Sequence, residues 1–349
     1  MIGADAIPVW VLTGFLGSGK TTMLGHLLRQ PEFSRTAVII NEFGEIGLDH
    51  ELIESSQDSV IALTTGCLCC KVRSDLTQTL QDLLRRRDAG ACTPFDRVVI
   101  ETSGLADPAP ILHALMTDAD TAGRLVLGGV ATTVDAVTGG VTLEREAISR
   151  KQIAVADRIV LSKLDLAGGA ETPLLARLAA LNPGAPVLQA DHGRIEAKNL
   201  FGAGVHDPKI GPFATEPVAI DSWLAQAPDH AHEHHDAEIR SFTIVRTEPI
   251  QAVALTLFLE ALAEHCGADL LRLKGIVNIA ESPQHPAVIH GVQHVFHPPA
   301  WLERWPSADR GSRMVFITRH VPRRWVEVLL EAIGAEVADV QALAQNRGG

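Results

Sequence analysis

Three of the five cysteines in this 349-residue chain, Cys67, Cys69 and Cys70, fall within four consecutive positions. Thiolate sulfur is a soft ligand that suits Zn²⁺ or a related late transition metal, and zinc favours four ligands in a tetrahedral arrangement. Three sulfurs leave one position open, and a metal ion that is not fully enclosed can be passed to another protein. The spacing therefore predicts a metal site suited to transfer.

Two other interpretations of the cysteines stay open. Cys67 and Cys70 also match the C-x-x-C spacing of a redox dithiol, although a redox pair does not need Cys69. The three thiols could also simply be buried. Cys92 and Cys266 stand alone in the sequence, and we expect both to pack in the core.

A phosphate-binding motif, GFLGSGKTT at residues 14–22, precedes the cysteines. It lies between a predicted strand and a predicted helix, which is the setting of the G-x-x-x-x-G-K-[ST] loop; a turn without a ligand is the alternative. Glycines let several backbone N–H groups converge on one phosphate, lysine adds positive charge, and the threonine hydroxyl can bind Mg²⁺. The predicted nucleotide-binding residues are Gly14, Gly17, Ser18, Gly19, Lys20, Thr21 and Thr22, with Lys20 and Thr21 also catalytic candidates.

The segment RVVIETSGLADP, at residues 97–108, places an acid at the end of an apolar strand. P-loop proteins hold Mg²⁺ and sense the γ-phosphate at such a strand end, so Glu101 is the candidate acid and Gly104 the candidate γ-phosphate contact. A solvated glutamate is the alternative. No glutamine follows Gly104 closely, so we expect slow intrinsic hydrolysis.

The segment VLSKLD, at residues 160–165, resembles the guanine-reading N-K-x-D element of GTPases. Asp165 could accept hydrogen bonds from guanine, and the stem of Lys163 could cover the ring. Ser162 stands where the element usually has asparagine. GTP is therefore the expected nucleotide, with its preference over ATP left open.

Acidic and histidine residues elsewhere could add metal ligands. Glu42, Glu45 and Asp49 lie between the P-loop and the cysteines, where GTPases keep a loop that orders around the nucleotide, and Glu42 is the strongest candidate ligand. The sequence DHAHEHHD, at residues 229–236, could capture metal loosely or be a solvated linker. His290 and His294 share a face of one predicted strand, where we expect surface histidines.

The elements that must position these residues alternate along the chain. Apolar runs predict strands at residues 9–12, 38–40, 60–63, 98–100, 126–134 and 159–161, and amphipathic runs predict helices at 22–28, 75–86 and 145–157. This alternation predicts an α/β fold with a parallel sheet. Residues 202–238 are rich in Pro, Gly and His and predict a linker.

A smaller α+β domain is predicted after the linker. Its elements are strands at residues 241–246, 270–280, 288–296 and 313–318, a helix at 250–265 and a final helix from Pro322.

The composition narrows the partners and the location. A formal charge of -12 with a pI near 5.6 argues against broad binding to nucleic acid or to an anionic membrane. No apolar run reaches the roughly 18 residues that a membrane helix requires. Three crowded thiols would be poor disulfide partners, so we expect a cytoplasmic protein.

Taken in order, GFLGSGKTT, NEFGEIGLD, GCLCC, ETSGLADP and SKLD resemble the CobW-like family of G3E P-loop GTPases. The segment LLRLKGIVNIA is similar to the C-terminal domain of that family. The resemblance implies a SIMIBI-type P-loop sheet with helices on both faces. It also implies a GTPase domain at residues 1–205, a His-rich linker at 206–238 and a CobW-type domain at 239–349.

The resemblance also implies a GTP-hydrolysing metallochaperone that delivers zinc, or sometimes cobalt, to a client metalloprotein. By motif match, the resemblance assigns guanine binding to Lys163 and Asp165, and metal binding to Cys67, Cys69 and Cys70. The family includes proteins of cobalamin synthesis and nitrile hydratase activation, so the client stays open, as does a homodimer. A metal store using the linker histidines and a small-molecule P-loop kinase are the rival functions.

Overall fold

The computed structural model describes residues 6–42, 60–64, 69–118, 120–121, 123–169, 171–201 and 238–346. At residues 41–42, 60–64, 69–75 and 345–346 it describes the backbone alone. Cys67, Glu45, Asp49 and the linker histidines therefore lie outside the described residues. The contacts divide the chain into two compact units, residues 1–216 and 217–349.

The first unit is built on a seven-stranded sheet in which every strand pair is parallel. Its strand order is β3-β2-β4-β1-β5-β6-β7. The strands are β1 Ile7–Gly14, β2 Thr36–Glu42, β3 Val60–Thr64, β4 Arg97–Thr102, β5 Leu125–Asp135, β6 Arg158–Ser162 and β7 Val187–Gln189. The helices between them are α1 Lys20–Leu27, α2 Cys69–Asp88, α3 Ala109–Thr117, α4 Gly139–Arg145, α5 Ala147–Ala154, α6 Leu164–Ala167, α7 Thr172–Leu181 and α8 Ala197–Phe201.

Helices cover both faces of this sheet. Every residue of β1 and of β5 is buried, as expected for strands with two covered faces. Val160 of β6 belongs to the core that includes Leu24 of α1, whereas its neighbours Ile159 and Leu161 belong to the core that includes Leu178 of α7. The predicted α/β P-loop fold is confirmed, and β7 adds a strand too short to be predicted.

The second unit is an α+β domain with an antiparallel sheet, as predicted. Its strand order is β11-β10-β9-β13-β8, with β12 paired to β10. The elements are β8 Ile239–Arg246, α9 Ala252–Cys266, β9 Leu270–Val277, β10 Ala287–Val292, β11 Val295–Phe296, β12 Ala300–Trp301, β13 Ser312–Arg319 and α10 Arg323–Asn346. Phe316 lies at the centre of its core, with ring centroids 5.3 Å from Phe242 and 6.4 Å from Phe258.

Two predicted elements were wrong in detail. The helix predicted at residues 145–157 is interrupted at Glu146, whose backbone is extended, so α4 and α5 are separate. The strand predicted at 288–296 is a hairpin that turns at Gln293, which has a positive φ of 54°. His294 therefore lies in the turn and shares no strand face with His290, and His290 is buried with its ring 4.4 Å from that of His297.

No helix among the described residues has both the length and the hydropathy of a membrane span.

The core of the second unit offers a direct stability test on two adjacent residues of α9. Phe258 is 0% exposed and Leu257 is 44% exposed. We expect Phe258→Ala to lower the free energy of unfolding by about 3–5 kcal/mol, because it leaves a cavity beneath Phe316. Leu257→Ala should change it by about 0.5 kcal/mol or less. Urea denaturation followed by tryptophan fluorescence measures both, and equal losses would contradict this assignment of the core.

Candidate functional site

The P-loop forms the connection between β1 and α1. Gly17 and Gly19 have positive φ values of 71° and 90°, a region that residues with a Cβ rarely adopt. This backbone lets the chain turn sharply before α1 begins at Lys20. The loop is therefore shaped by glycine, and it leads into a helix start, where unpaired backbone N–H groups favour an anion.

Lys20 is buried and folds back on the loop. Its Nζ donates to the carbonyl oxygens of Gly14 at 2.9 Å and of Phe15 at 3.3 Å. The ammonium group is thereby held at the loop, as expected for a lysine that balances phosphate charge.

Hydroxyl groups from neighbouring strands hold the loop in place. Ser18 Oγ and Thr133 Oγ1 share a hydrogen bond of 2.6 Å, which ties the loop to β5. Ser162 Oγ donates to the carbonyl of Ser18 at 2.8 Å, which ties it to the end of β6. Ser162, identified in the sequence only as a departure from the guanine-reading element, thus supports the phosphate loop.

Thr21 and Glu101 meet beside the loop. Thr21 Oγ1 donates to Glu101 Oε1 at 2.7 Å, and the Glu101 side chain, at the end of β4, is fully buried. A hydroxyl and a carboxylate at one point are hard oxygen donors of the kind that Mg²⁺ prefers. The structure brings together two residues that lie 80 positions apart in the sequence.

Gly104 lies in a tight turn against the P-loop. The N–H of Ala106 donates to the carbonyl of Ser103 at 3.0 Å, which closes a β-turn with Gly104 and Leu105 at its centre. A Cβ on Gly104 would lie 2.7 Å from Leu16 N and 2.8 Å from Leu16 Cα. Only glycine allows this approach, so the turn and the loop are in direct backbone contact.

Lys163 is held by an acid that sequence reasoning missed. Its Nζ lies 2.7 Å from Asp135 Oδ2, and Asp135 Oδ1 accepts from the N–H groups of Val137 and Thr138. Burial raises the pKa of Asp135, but the hydrogen bonds from Lys163, Thr138 and Val137 lower it by more, so it lies below the ordinary 3.8. Asp135 ends a buried strand, as Glu101 does, and that position could have identified it.

Asp165 follows Lys163 in the short helix α6. Its Oδ2 lies 3.3 Å from Nδ1 of His192, a residue of positive φ in the turn after β7. The same turn approaches the P-loop helix, since a Cβ on Gly193 would lie 3.0 Å from Thr22 Cγ2. Asp165 and Thr22 therefore both lie beside the turn at residues 192–193.

The metal candidates are placed by the backbone. Glu42 ends β2, beside Thr64 at the end of β3, and α2 begins at Cys69, so Cys69 and Cys70 form its first turn. Cys67 lies in the connection between β3 and α2, outside the described residues. Among the described side chains, no group of three or more His, Cys, Asp or Glu residues could hold a metal ion. The thiolate site therefore stays a prediction.

The Gly104 turn offers a test of its contact with the P-loop. We expect Gly104→Ala to weaken binding of a non-hydrolysable nucleoside triphosphate by about tenfold or more, because the new methyl group displaces Leu16. Isothermal titration measures the affinity. Gly140→Ala is the control, because a Cβ on Gly140 would meet no atom of the described residues within 4 Å, and this variant should bind as wild type does. Unchanged affinity in Gly104→Ala would contradict the contact.

The lowered pKa of Asp135 gives a pH-dependent prediction. A carboxylate with a depressed folded-state pKa stabilises the protein above its unfolded pKa of about 3.9, and this contribution is lost as the pH falls through the folded value. We expect Asp135→Asn to lower the free energy of unfolding at pH 7 and the difference from wild type to shrink below about pH 4. Urea denaturation across pH 3–7 measures it, and a pH-independent difference would refute the ion-pair assignment.

Relatives of this chain are found over nearly its whole length. The zinc chaperone YjiA of Escherichia coli (strain K12) is 35% identical over 91% of this chain and 96% of its own. The zinc chaperone CobW of Sinorhizobium sp is 30% identical over 90% of this chain and 93% of its own. The crystal structure of Zn(II)-bound YjiA GTPase from E. coli matches with a TM-score of 0.70 and 29% identity, covering 94% of this chain and 99% of that chain.

Two family models cover the two units. The model of the CobW/HypB/UreG nucleotide-binding domain matches residues 8–189, and that of the cobalamin synthesis protein CobW C-terminal domain matches residues 239–334. The chain therefore belongs to the CobW/HypB/UreG family and carries the CobW C-terminal domain.

Proposed function

We propose that this chain is a GTP-hydrolysing metallochaperone that carries zinc at Cys67, Cys69 and Cys70 and delivers it to a client metalloprotein. The observation that carries the proposal is the Thr21–Glu101 hydrogen bond, which joins the phosphate loop to β4. Strand β4 lies next to β2, which ends at the proposed metal ligand Glu42. Zinc chaperones that align with most of this chain, YjiA and CobW among them, support the same function.

The phosphate end of GTP is assigned to the loop and to the turn facing it. Gly14, Gly17, Ser18, Gly19, Lys20, Thr21 and Thr22 bind the phosphates. The Lys20 ammonium, already held at the loop, balances the charge of the terminal phosphates, and a backbone N–H at Gly104 contacts the γ-phosphate.

Thr21 and Glu101 are assigned to Mg²⁺, which supplies positive charge at the β- and γ-phosphates when it is bound. Their oxygens already meet at 2.7 Å, which fits a hard cation held by Thr21 with Glu101 at its side.

The guanine base is assigned to Lys163 and Asp165. The ion pair with Asp135 fixes the Lys163 ammonium, so its stem is available to cover the ring. Asp165 accepts hydrogen bonds from the base. Ser162 donates a hydrogen bond to the phosphate loop, so the serine at this position supports the loop. The preference for GTP over ATP then depends on Asp165.

Zinc is the cargo, and its site lies along the same sheet edge as the nucleotide. The strand order places the ends of β3, β2, β4 and β1 side by side. Neighbouring strands lie about 4.8 Å apart, so roughly 14 Å separates the end of β3 from the P-loop. Glu42 on β2 and Glu101 on β4 lie between these points. We propose Glu42 as a fourth ligand beside the three thiolates, with cobalt as an alternative cargo.

This arrangement couples the nucleotide site to the proposed zinc site. A change at the γ-phosphate moves the Gly104 turn and the end of β4, which pairs directly with β2. Nucleotide state would then alter the geometry at Glu42 and the affinity of the thiolates for zinc, and the coupling must be reciprocal. A cytoplasmic location and a homodimer stay predictions.

The test measures zinc affinity by competition with a chelator, in the presence of GDP or of a non-hydrolysable GTP analogue. We expect one tight site in wild type, an affinity that differs about fivefold or more between the two nucleotides, and loss of that site in the Cys67→Ser, Cys69→Ser, Cys70→Ser triple variant. Equal tight binding in both proteins would refute the assignment.

Two controls make the result specific. Cys92→Ser with Cys266→Ser should keep the tight site, because burial raises the pKa of Cys266 to about 11 and disfavours its thiolate. Removing residues 230–235 should lower only the number of weakly bound zinc ions, whereas a metal-storage protein would lose most of its bound zinc. The tight site must be resolved from others, because a YjiA triple mutant with one Glu and two Cys replaced by Ala also has a Zn(II)-bound crystal structure.

A further inference from the structure

The turn that carries Gly104 is held from behind by α5. Gln152 of α5 is fully buried, and its Nε2 donates to the carbonyl of Gly104 at 3.2 Å and to that of Ala106 at 3.1 Å. Two carbonyl oxygens face this end of the side chain, so it must be the NH₂ group and the amide orientation is determined.

A second contact from α5 holds the end of the same turn. Lys151 Nζ lies 3.1 Å from Asp107 Oδ2, and Asp107 Oδ1 accepts from the N–H of Ala109 at the start of α3. Consecutive residues of one helix thus contact the segment 104–107 at three points.

Helix α5 is itself firmly attached to the sheet. Thr132 Oγ1 of β5 donates to the carbonyl of Gln152 at 2.9 Å. Asn182, which follows α7, donates from Nδ2 to the carbonyls of Ile153 at 2.8 Å and Ala156 at 2.9 Å. These bonds hold α5 from β5 and from the residue after α7, so the helix can serve as a support for the turn.

The bond to Gly104 controls one peptide plane. The peptide between Gly104 and Leu105 is the central peptide of the β-turn, and its orientation separates the common turn types. In a trans peptide the C=O and N–H groups point in opposite directions. Because Gln152 holds the Gly104 carbonyl toward α5, the Leu105 N–H points away from α5.

The unfavourable part of this arrangement is the burial of the other polar atom of the Gln152 side chain. Gln152 Oε1 is buried and has no hydrogen-bond partner among the residues that the structure describes. A buried unsatisfied acceptor destabilises a protein, and each such group calls for an explanation. Placement of the NH₂ group against the two turn carbonyls provides one.

We propose that Gln152, with Lys151 beside it, is a positioning residue that sets the Gly104–Leu105 peptide in the orientation that binds a nucleoside triphosphate. The inference rests on the proposed function, since it concerns how the same site distinguishes GTP from GDP. By fixing this peptide plane, α5 directs the Leu105 N–H, next to the Gly104 N–H already assigned to the γ-phosphate, toward that same phosphate. GDP lacks the γ-phosphate and does not depend on this orientation.

The test compares the affinities of wild type and Gln152→Met for a non-hydrolysable GTP analogue and for GDP, by isothermal titration with Mg²⁺. Methionine keeps the size and removes both donors. We expect the analogue to bind about tenfold more weakly, the loss expected for two neutral hydrogen bonds, and GDP affinity to stay within about twofold. Gln152→Glu, which sets a carboxylate against two carbonyls, should lower the ratio further.

Asn182→Leu is the matched control. It removes a buried amide that bonds to the end of α5 without touching the turn, and the Thr132 bond to the Gln152 carbonyl remains. It should therefore lower the unfolding temperature and leave the ratio of analogue to GDP affinity unchanged. Lys151→Met, at a partly exposed position, should fold and lower the ratio about twofold to threefold.

The outcomes separate the two ideas. If wild type binds neither GTP analogue nor GDP, the proposed function is wrong. If wild type binds both and Gln152→Met keeps the wild-type ratio, the positioning role is wrong. If Gln152→Met fails to fold, an unchanged ratio of analogue to GDP affinity in Lys151→Met shows that α5 does not position the turn. If Asn182→Leu lowers that ratio as much as a variant at the turn contacts does, the effect is one of general stability and the positioning role is wrong.

Discussion

The requirement that a glycine-shaped loop be held rigidly at the edge of a parallel sheet governs this structure. A loop of that backbone has few contacts of its own, and here three polar side chains from the strands beside it supply them. Thr133, Ser162 and Glu101 reach the loop and the start of α1 from β5, β6 and β4. Because parallel strands end at one edge, each neighbour can place a polar side chain next to the phosphate site.

The same constraint explains why the site is polar yet buried. Glu101, Lys20, Ser18 and Thr133 are almost inaccessible to solvent, and burial of such groups is costly unless they are paired. Here a lysine lies on carbonyls and a carboxylate accepts from a hydroxyl, so these groups have partners within the fold. A site of this kind is ordered in advance and suited to binding phosphate charge.

Strand order also sets the separation between the P-loop and the proposed metal site. The strands β4 and β2 separate the P-loop strand from β3, where Glu42 ends β2 beside Thr64 and α2 begins at Cys69. The proposed metal ligands are residues of this part of the chain. The proposed coupling needs no long pathway, because only β4 and β2 lie between the P-loop strand and β3. The Gly104 turn, held by α5 on one side and by the P-loop on the other, is where γ-phosphate state would enter.

The sequence by itself determined the fold class, the family and the phosphate loop. The reason is that glycine, lysine and strand periodicity determine local structure in the same way whatever the rest of the fold is. The antiparallel hairpin at Gln293 and the break at Glu146 escaped it, because a turn within an apolar run leaves little periodic signal. Only the tertiary structure showed that Asp135 holds Lys163, that Ser162 supports the loop and that Gln152 supports Gly104. Those pairs lie 28, 144 and 48 residues apart, and contact at such separations is decided by strand order and helix packing, which no local pattern records.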